Sequence, residues 1–219
     1  QSIHTDPDAA AAGPFGGLIA SGWQTAALMM RLFADNYLTS VASLASPGID
    51  ELRWLPVDGG ALDAEIARDA ARFFEDGEKM QLSYAVRNTQ RTVGTRTSSL
   101  IVQRYGMRNK LQPDHLTIRL TGSAGQSLGA FAVPGLKIEV TGDANDYVGK
   151  GLSGGVIVVK PPMGSPLVAA DNVIIGNTVL YGATGGFLFA AGRAGERFAV
   201  RNSGASVVIE GCGTNGCEY

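Results

Sequence analysis

Cysteine is nearly missing from this 219-residue sequence. Its two cysteines, Cys212 and Cys217, are too few for a disulfide scaffold. Charge is scarce as well. Charged residues make up 17% and the formal net charge is −2, which argues against nucleic acid or an anionic membrane surface as a partner. No apolar run reaches the length that spans a bilayer, so no membrane partner is expected. No basic leader or signal-like apolar stretch opens the sequence, and a cytoplasmic location is the expectation. What is present is a globular composition, 45% hydrophobic, long enough for one large domain or two small ones. Glycine is the anomaly. Of 30 glycines, 20 lie after Leu116, which points to two architectures in one chain.

Residues 1–56 read as one unit. Ile19, Trp23, Ala27, Met30, Tyr37 and Val41 recur at three- or four-residue spacing and predict a long helix over 18–41. Pro47-Gly48 ends it, and 49–55 reads as a strand. Residues 57–60 form a junction of Val, Asp and two Gly. A helical lead-in follows over 61–115. Leu62, Ile66, Ala70 and Phe74 predict a helix over 61–75 with Gly77 as its stop, 82–86 a short strand, and 95–105 a helix closed by Gly106.

From Leu116 the pattern changes to short apolar runs separated by glycine-rich turns. Runs start at Leu116, Leu136 and Val156, 20 residues apart, and at Phe187 and Ser206, 19 apart. The wider gap holds two more strand-like runs, 173–175 and 179–181. One short strand per repeat of about 20 residues predicts a solenoid, with glycine giving positive φ and close approach at its corners. The expected fold is therefore mainly β, a single-stranded β-helix over 116–219 preceded by helical segments.

The repeats carry longer words: Gly122-Ser-Ala-Gly125-Gln-Ser-Leu-Gly129, Gly149-Lys-Gly151-Leu-Ser-Gly154-Gly155, Asn177-Thr-Val-Leu-Tyr-Gly182-Ala-Thr-Gly185-Gly186 and Arg201-Asn-Ser-Gly204. With the stretch from Arg87 to Arg96, they resemble the C-terminal GXGXG β-helix domain of the glutamate synthase large subunit, over about 61–219. The resemblance implies a right-handed coil that holds the glutaminase domain against the FMN-bearing synthase domain, with other glutamate synthase domains or subunits as partners. It implies no glutamate synthase activity for this chain alone. The nucleophilic cysteine, the flavin barrel and the iron–sulfur cysteines of that enzyme have no counterpart, so no cofactor is expected in this chain.

Residues 1–56 resemble a different family, the MaoC-like acyl dehydratases of the hotdog fold, through His4-Thr-Asp6-Pro and Gly13-Pro-Phe15 to Ser21-Gly-Trp23. The resemblance makes 18–38 the central hotdog helix. It makes His4 the catalytic histidine of an Asp/His pair that hydrates or dehydrates an enoyl thioester. The aspartate would lie upstream of Gln1. Without that acid nothing orients the imidazole, and an inert His4 is the competing reading. The apolar helix could pair copies of the chain. A hotdog fragment followed by a glutamate synthase segment has the order of a chimera.

Three further features carry candidate chemistry. Gly149-Lys-Gly151-Leu-Ser-Gly154 is a G-x-G-x-x-G, but the strand-like run after it, closed by Pro161-Pro162, is not the helix a dinucleotide site needs. Cys212 and Cys217 lack further metal ligands nearby, so no metal is expected. Arg87, Arg91, Arg96, Arg104, Arg108, Lys110 and Arg119 share a stretch whose acid is Asp114. A phosphate-binding surface, a solvated face and a contact with neighbouring enzyme domains stay open there. His115 reads as a loop residue.

Overall fold

The computed structural model describes residues 59–218, together with Asp8, Ala11 and Ala12. The chain divides into two units, Gln1–Leu55 and Pro56–Tyr219, and nearly all described residues belong to the second. The helix expected over 18–41, the strand over 49–55, His4 and the self-association surface lie outside the described residues.

The second unit opens with helices α1 (Gly59–Asp69) and α2 (Ala71–Asp76). Leu62, Ile66, Ala70 and Phe73 are buried, the i, i+4 stripe of an amphipathic helix. The single helix expected over 61–75 is broken at Ala70, whose φ of −84° and ψ of 17° leave the helical basin. Gly77, at φ 73°, caps α2: its N–H donates to the Phe73 carbonyl, and the N–H of Glu78 to that of Arg72. Strand β1 (Met80–Val86) and helix α3 (Thr95–Tyr105) follow, the latter at the bounds its flanking glycines predict.

Seven strands come next: β2 (Leu116–Ala124), β3 (Leu136–Ala144), β4 (Ser153–Lys160), β5 (Val173–Ile175), β6 (Gly185–Ala190), β7 (Arg193–Ala194) and β8 (Ser206–Val208). With β1 they form one eight-stranded sheet in the order β1-β2-β3-β4-β6-β8, with β5 against β3 and β7. Every described pairing is parallel. The 20-residue spacing appears directly as register: Leu116 pairs with Leu136 and Gly122 with Gly142. Register then stacks like on like. Leu82, Ile118, Ile138, Ile157, Leu188 and Val207 occupy matching positions on successive strands. Ile118, Ile138, Ile157 and Leu188 are fully buried. Burial of each is worth roughly 1.5–3 kcal/mol, so this column and its neighbour Leu120–Val140–Val159 form the spine of the core.

The expected right-handed single-stranded β-helix over 116–219 is corrected. The structure shows a parallel eight-stranded sheet with three described helices, two before β1 and one between β1 and β2, an α/β arrangement. A 20-residue period fixes which residues face each other on adjacent strands, and it does not by itself fix the architecture built from those strands. The strand expected at 179–181 is a turn, and β7 was not foreseen, because an Arg-Ala pair carries no alternation signal.

Close strand stacking makes two glycines obligatory. A Cβ on Gly142, at φ 148°, would lie 2.0 Å from the Gly122 carbonyl oxygen, and one on Gly122 would lie 2.2 Å from that of Val86. Backbone cannot yield as a side-chain tip can. Gly142→Ala is expected to cost at least about 3 kcal/mol, adding overpacking to an unfavourable backbone. Gly182, at φ 63° with nothing within 4 Å of its added Cβ, provides the contrast. Gly182→Ala should cost only about 1–2 kcal/mol. Urea unfolding of the two variants measures the gap.

Candidate functional site

Strands β2, β3, β5 and β7 each run into a turn whose first, third and fifth residues have positive φ. The four sets are Ser127-Gly129-Phe131, Tyr147-Gly149-Gly151, Thr178-Leu180-Gly182 and Arg197-Ala199-Arg201. The second residue of each turn, Leu128, Val148, Val179 or Phe198, is buried. Backbone hydrogen bonds tie turn to turn in both directions. Tyr147 N–H donates forward to Asn177 O at 2.9 Å, and Leu180 N–H donates backward to Val148 O at 2.8 Å. Side chains extend the ladder: Asp146 Oδ1 accepts from Asn177 N–H at 2.7 Å, and Asn177 Oδ1 from Glu196 N–H at 2.8 Å. A non-glycine residue in the left-handed region costs roughly 1–2 kcal/mol, and the ladder with its buried side chains offsets that cost.

This geometry removes the dinucleotide reading of Gly149 to Gly154. The motif is a turn that enters β4, with no helix after it. Its glycines already face protein: an added Cβ would meet Leu180 at Gly149, the Phe131 ring at Gly151 and the Pro134 ring at Gly154.

Asp63 on α1 was missed from the sequence. It is buried, and its carboxylate accepts from Gly94 N–H at 2.9 Å, Arg96 N–H at 3.1 Å and the Thr97 hydroxyl at 3.1 Å. It thus caps the N-terminus of α3 from another helix, satisfying donors that a helix start leaves unpaired. The signal for it is slight: one acid at a position flanked by the apolar stripe of α1. Burial pushes the carboxyl above the usual range, against the opposing pull of these hydrogen bonds and the Arg96 charge. Beside this cap, α3 and the turns enclose a cavity of about 490 Å³ lined by Val102, Met107, Phe131 and Val133. Met107 and Phe131 are each 54% exposed there.

The basic stretch does not act as one site. Arg104 donates to the carbonyls of Phe74 at 2.7 Å and Glu75 at 3.2 Å, closing the end of α2. Lys137, and after it Arg119 at 3.0 Å, hold the Glu139 carboxyl below its usual range. Arg87, Arg91, Arg96, Arg108 and Lys110 are exposed. His115 does more than its loop position suggested. Its Nε2 donates to Gly77 O at 2.8 Å and its ring lies 5.8 Å from that of Phe73, joining the approach to β2 to the cap of α2. Cys212 and Cys217 are free thiols. Among the described residues no group of three or more His, Cys, Asp or Glu could hold a metal, and no helix is long and apolar enough to cross a membrane.

Residues 63–219 match the GXGXG motif family, in agreement with these glycine-bearing turns. The chain belongs to that family. Residues 1–57 match a second model, that of the MaoC like domain. The GXGXG region is 71% identical over 158 residues to the glutamate synthase [NADPH] large chain of Azospirillum brasilense, covering 72% of this chain and 10% of that one. It is 54% identical over 145 residues to the Bacillus subtilis large chain, 66% of this chain and 10% of the other. Against the glutamate synthase [NADH] of Saccharomyces cerevisiae it is 45% identical over 159 residues, 72% of this chain and 7% of the other. The chain thus spans about a tenth of the length of these relatives. A flavin or an iron–sulfur cluster, the groups that the glutamate synthase resemblance implies for the whole enzyme, finds no fitting donor set among the described residues of the GXGXG region. An iron–sulfur cluster takes several thiolates, and this chain has two cysteines. The glycine loop that could cradle a flavin phosphate is filled by Leu180, Phe131 and Pro134.

Asp63→Ala leaves two backbone N–H groups and one hydroxyl without their acceptor, and is expected to cost about 3 kcal/mol or more. Asp63→Asn adds a test of charge. With a raised folded pKa, the acid's advantage over asparagine is fully present below pH 3.8, the ordinary value, and shrinks as pH rises through the raised value. Denaturant unfolding of both variants at pH 4 and pH 7 reads the size and the sign.

Proposed function

We propose that residues 61–219 are a structural domain of a glutamate synthase large chain. In the whole enzyme this domain holds the glutaminase and FMN synthase domains together, so that glutamine and 2-oxoglutarate yield glutamate. The observation that carries the reading is 71% identity over 158 residues to a segment making up a tenth of such a chain. The turn ladder supports it, since a stack held by its own backbone presents a stiff face to neighbouring domains. The partners are the other domains or subunits of that enzyme, and FMN and the iron–sulfur centre reside there.

Two measurements test this reading. The purified chain should be colourless and should make no glutamate from glutamine, 2-oxoglutarate and NADPH. Turnover by the chain alone would contradict the reading. Deleting the matching segment from the Azospirillum brasilense large chain should uncouple glutamine hydrolysis from glutamate formation. Retained coupling in a folded deletion variant would sink the scaffold role.

A second reading rests on the MaoC like match over 1–57. It makes that segment the remnant of an (R)-enoyl thioester hydratase with His4 as its histidine. Enoyl thioester hydration that is lost on His4→Ala would support it, and no hydration above buffer would remove it.

A further inference from the structure

A second cleft, of about 400 Å³, opens over the turn ladder, lined by Tyr147, Lys150, Thr178, Tyr181 and Arg197. Three successive turns supply these residues. Tyr147, Thr178 and Arg197 are the first residues of their turns, with φ of 62°, 55° and 55°. Left-handed backbone at Leu180 and Ala199 places those side chains in the core. At Tyr147, 37% exposed, and at exposed Arg197 the same backbone gains no core packing, and it aims their side chains into the cleft.

The lining has one electrostatic sign. Lys150 Nζ lies 5.6 Å from the centre of the Tyr147 ring, and the Arg201 guanidinium lies 5.9 Å from that of Tyr181. Arg201 also donates to the Tyr181 hydroxyl at 3.3 Å. No carboxylate lines the cleft. The two acids next along the chain are engaged elsewhere: Asp146 accepts from Asn177 N–H, and Glu196 accepts from the Thr214 hydroxyl. Lys150 and Arg197 form no salt bridge among the described residues. Two cations, two phenols and a threonine hydroxyl thus face one concave space whose lining holds no carboxylate.

We propose that this cleft binds a small, multiply charged anion of the phosphate or carboxylate type. Arg197 supplies a planar fork of N–H donors, Lys150 a mobile charge, and Tyr147, Tyr181 and Thr178 neutral donors around them. The site does not depend on the scaffold reading, because its residues and their geometry all lie in this chain.

The test is titration of the full chain with pyrophosphate and with citrate at constant ionic strength, read by calorimetry and by melting temperature. Chloride at equal ionic strength controls for screening. Saturable binding of at least one anion is expected, and the stronger of the two names the ligand type. Arg197→Gly deletes the cation at a backbone position that glycine favours, so the variant should fold. Its affinity should fall about tenfold or more, the loss of one charge-assisted contact. Lys150→Gln should weaken binding too, and Arg72→Gln, on α2 and outside the lining, should not. No saturable binding, or equal binding by wild type and Arg197→Gly, overturns the proposal.

Discussion

Parallel backbone pairing between equivalent repeats is the constraint on which the second unit depends. Once Leu116 lies beside Leu136, side chains of one kind fall into columns, and the Ile118–Ile138–Ile157 column is fully buried. The same register brings Gly142 onto Gly122 and Gly122 onto Val86, where the backbones approach too closely for a side chain. It also sets each turn against the next, so that a hydrogen bond such as Leu180 N–H to Val148 O can hold a leucine in the left-handed region. Packing, glycine placement and tolerated strain are three results of one register.

Helices α1, α2 and α3 are fastened to one another, largely through buried or charge-assisted contacts. Asp63 caps α3, Arg104 closes α2, and the Tyr105 hydroxyl donates to the Phe73 carbonyl. The Phe73 ring packs at 5.3 Å from that of Tyr105. The turn face, by contrast, carries exposed aromatic and cationic side chains on a stiff frame, which suits recognition.

Much of this was legible from spacing. The starts of β2 and β3, the bounds of α3 and the caps Gly77 and Gly106 follow from apolar period and glycine position. The family followed from words such as Gly149-Lys-Gly151, because several occur in order. The architecture assigned to the period did not hold, since a repeat length specifies neighbours rather than a global form. Left-handed backbone at Tyr147, Thr178, Leu180 and Arg197 was not legible, because it is imposed by hydrogen bonds to other turns and not by local propensity. Asp63 was invisible for a like reason. Its three donors lie more than 30 residues away along the chain.

The claim that the turns are held by their neighbours is tested most directly by native-state amide hydrogen exchange. The N–H groups of Gly149, Leu180 and Ala199 lie in turns, where exchange is ordinarily fast. Each donates to the preceding turn, to Leu128, Val148 and Val179 respectively. They should exchange as slowly as the amides of Ile138 and Ile157 in the central strands, and all of them should open together. Turn amides that exchange orders of magnitude faster than the strands, while the strands stay protected, would contradict a ladder in which one register holds both.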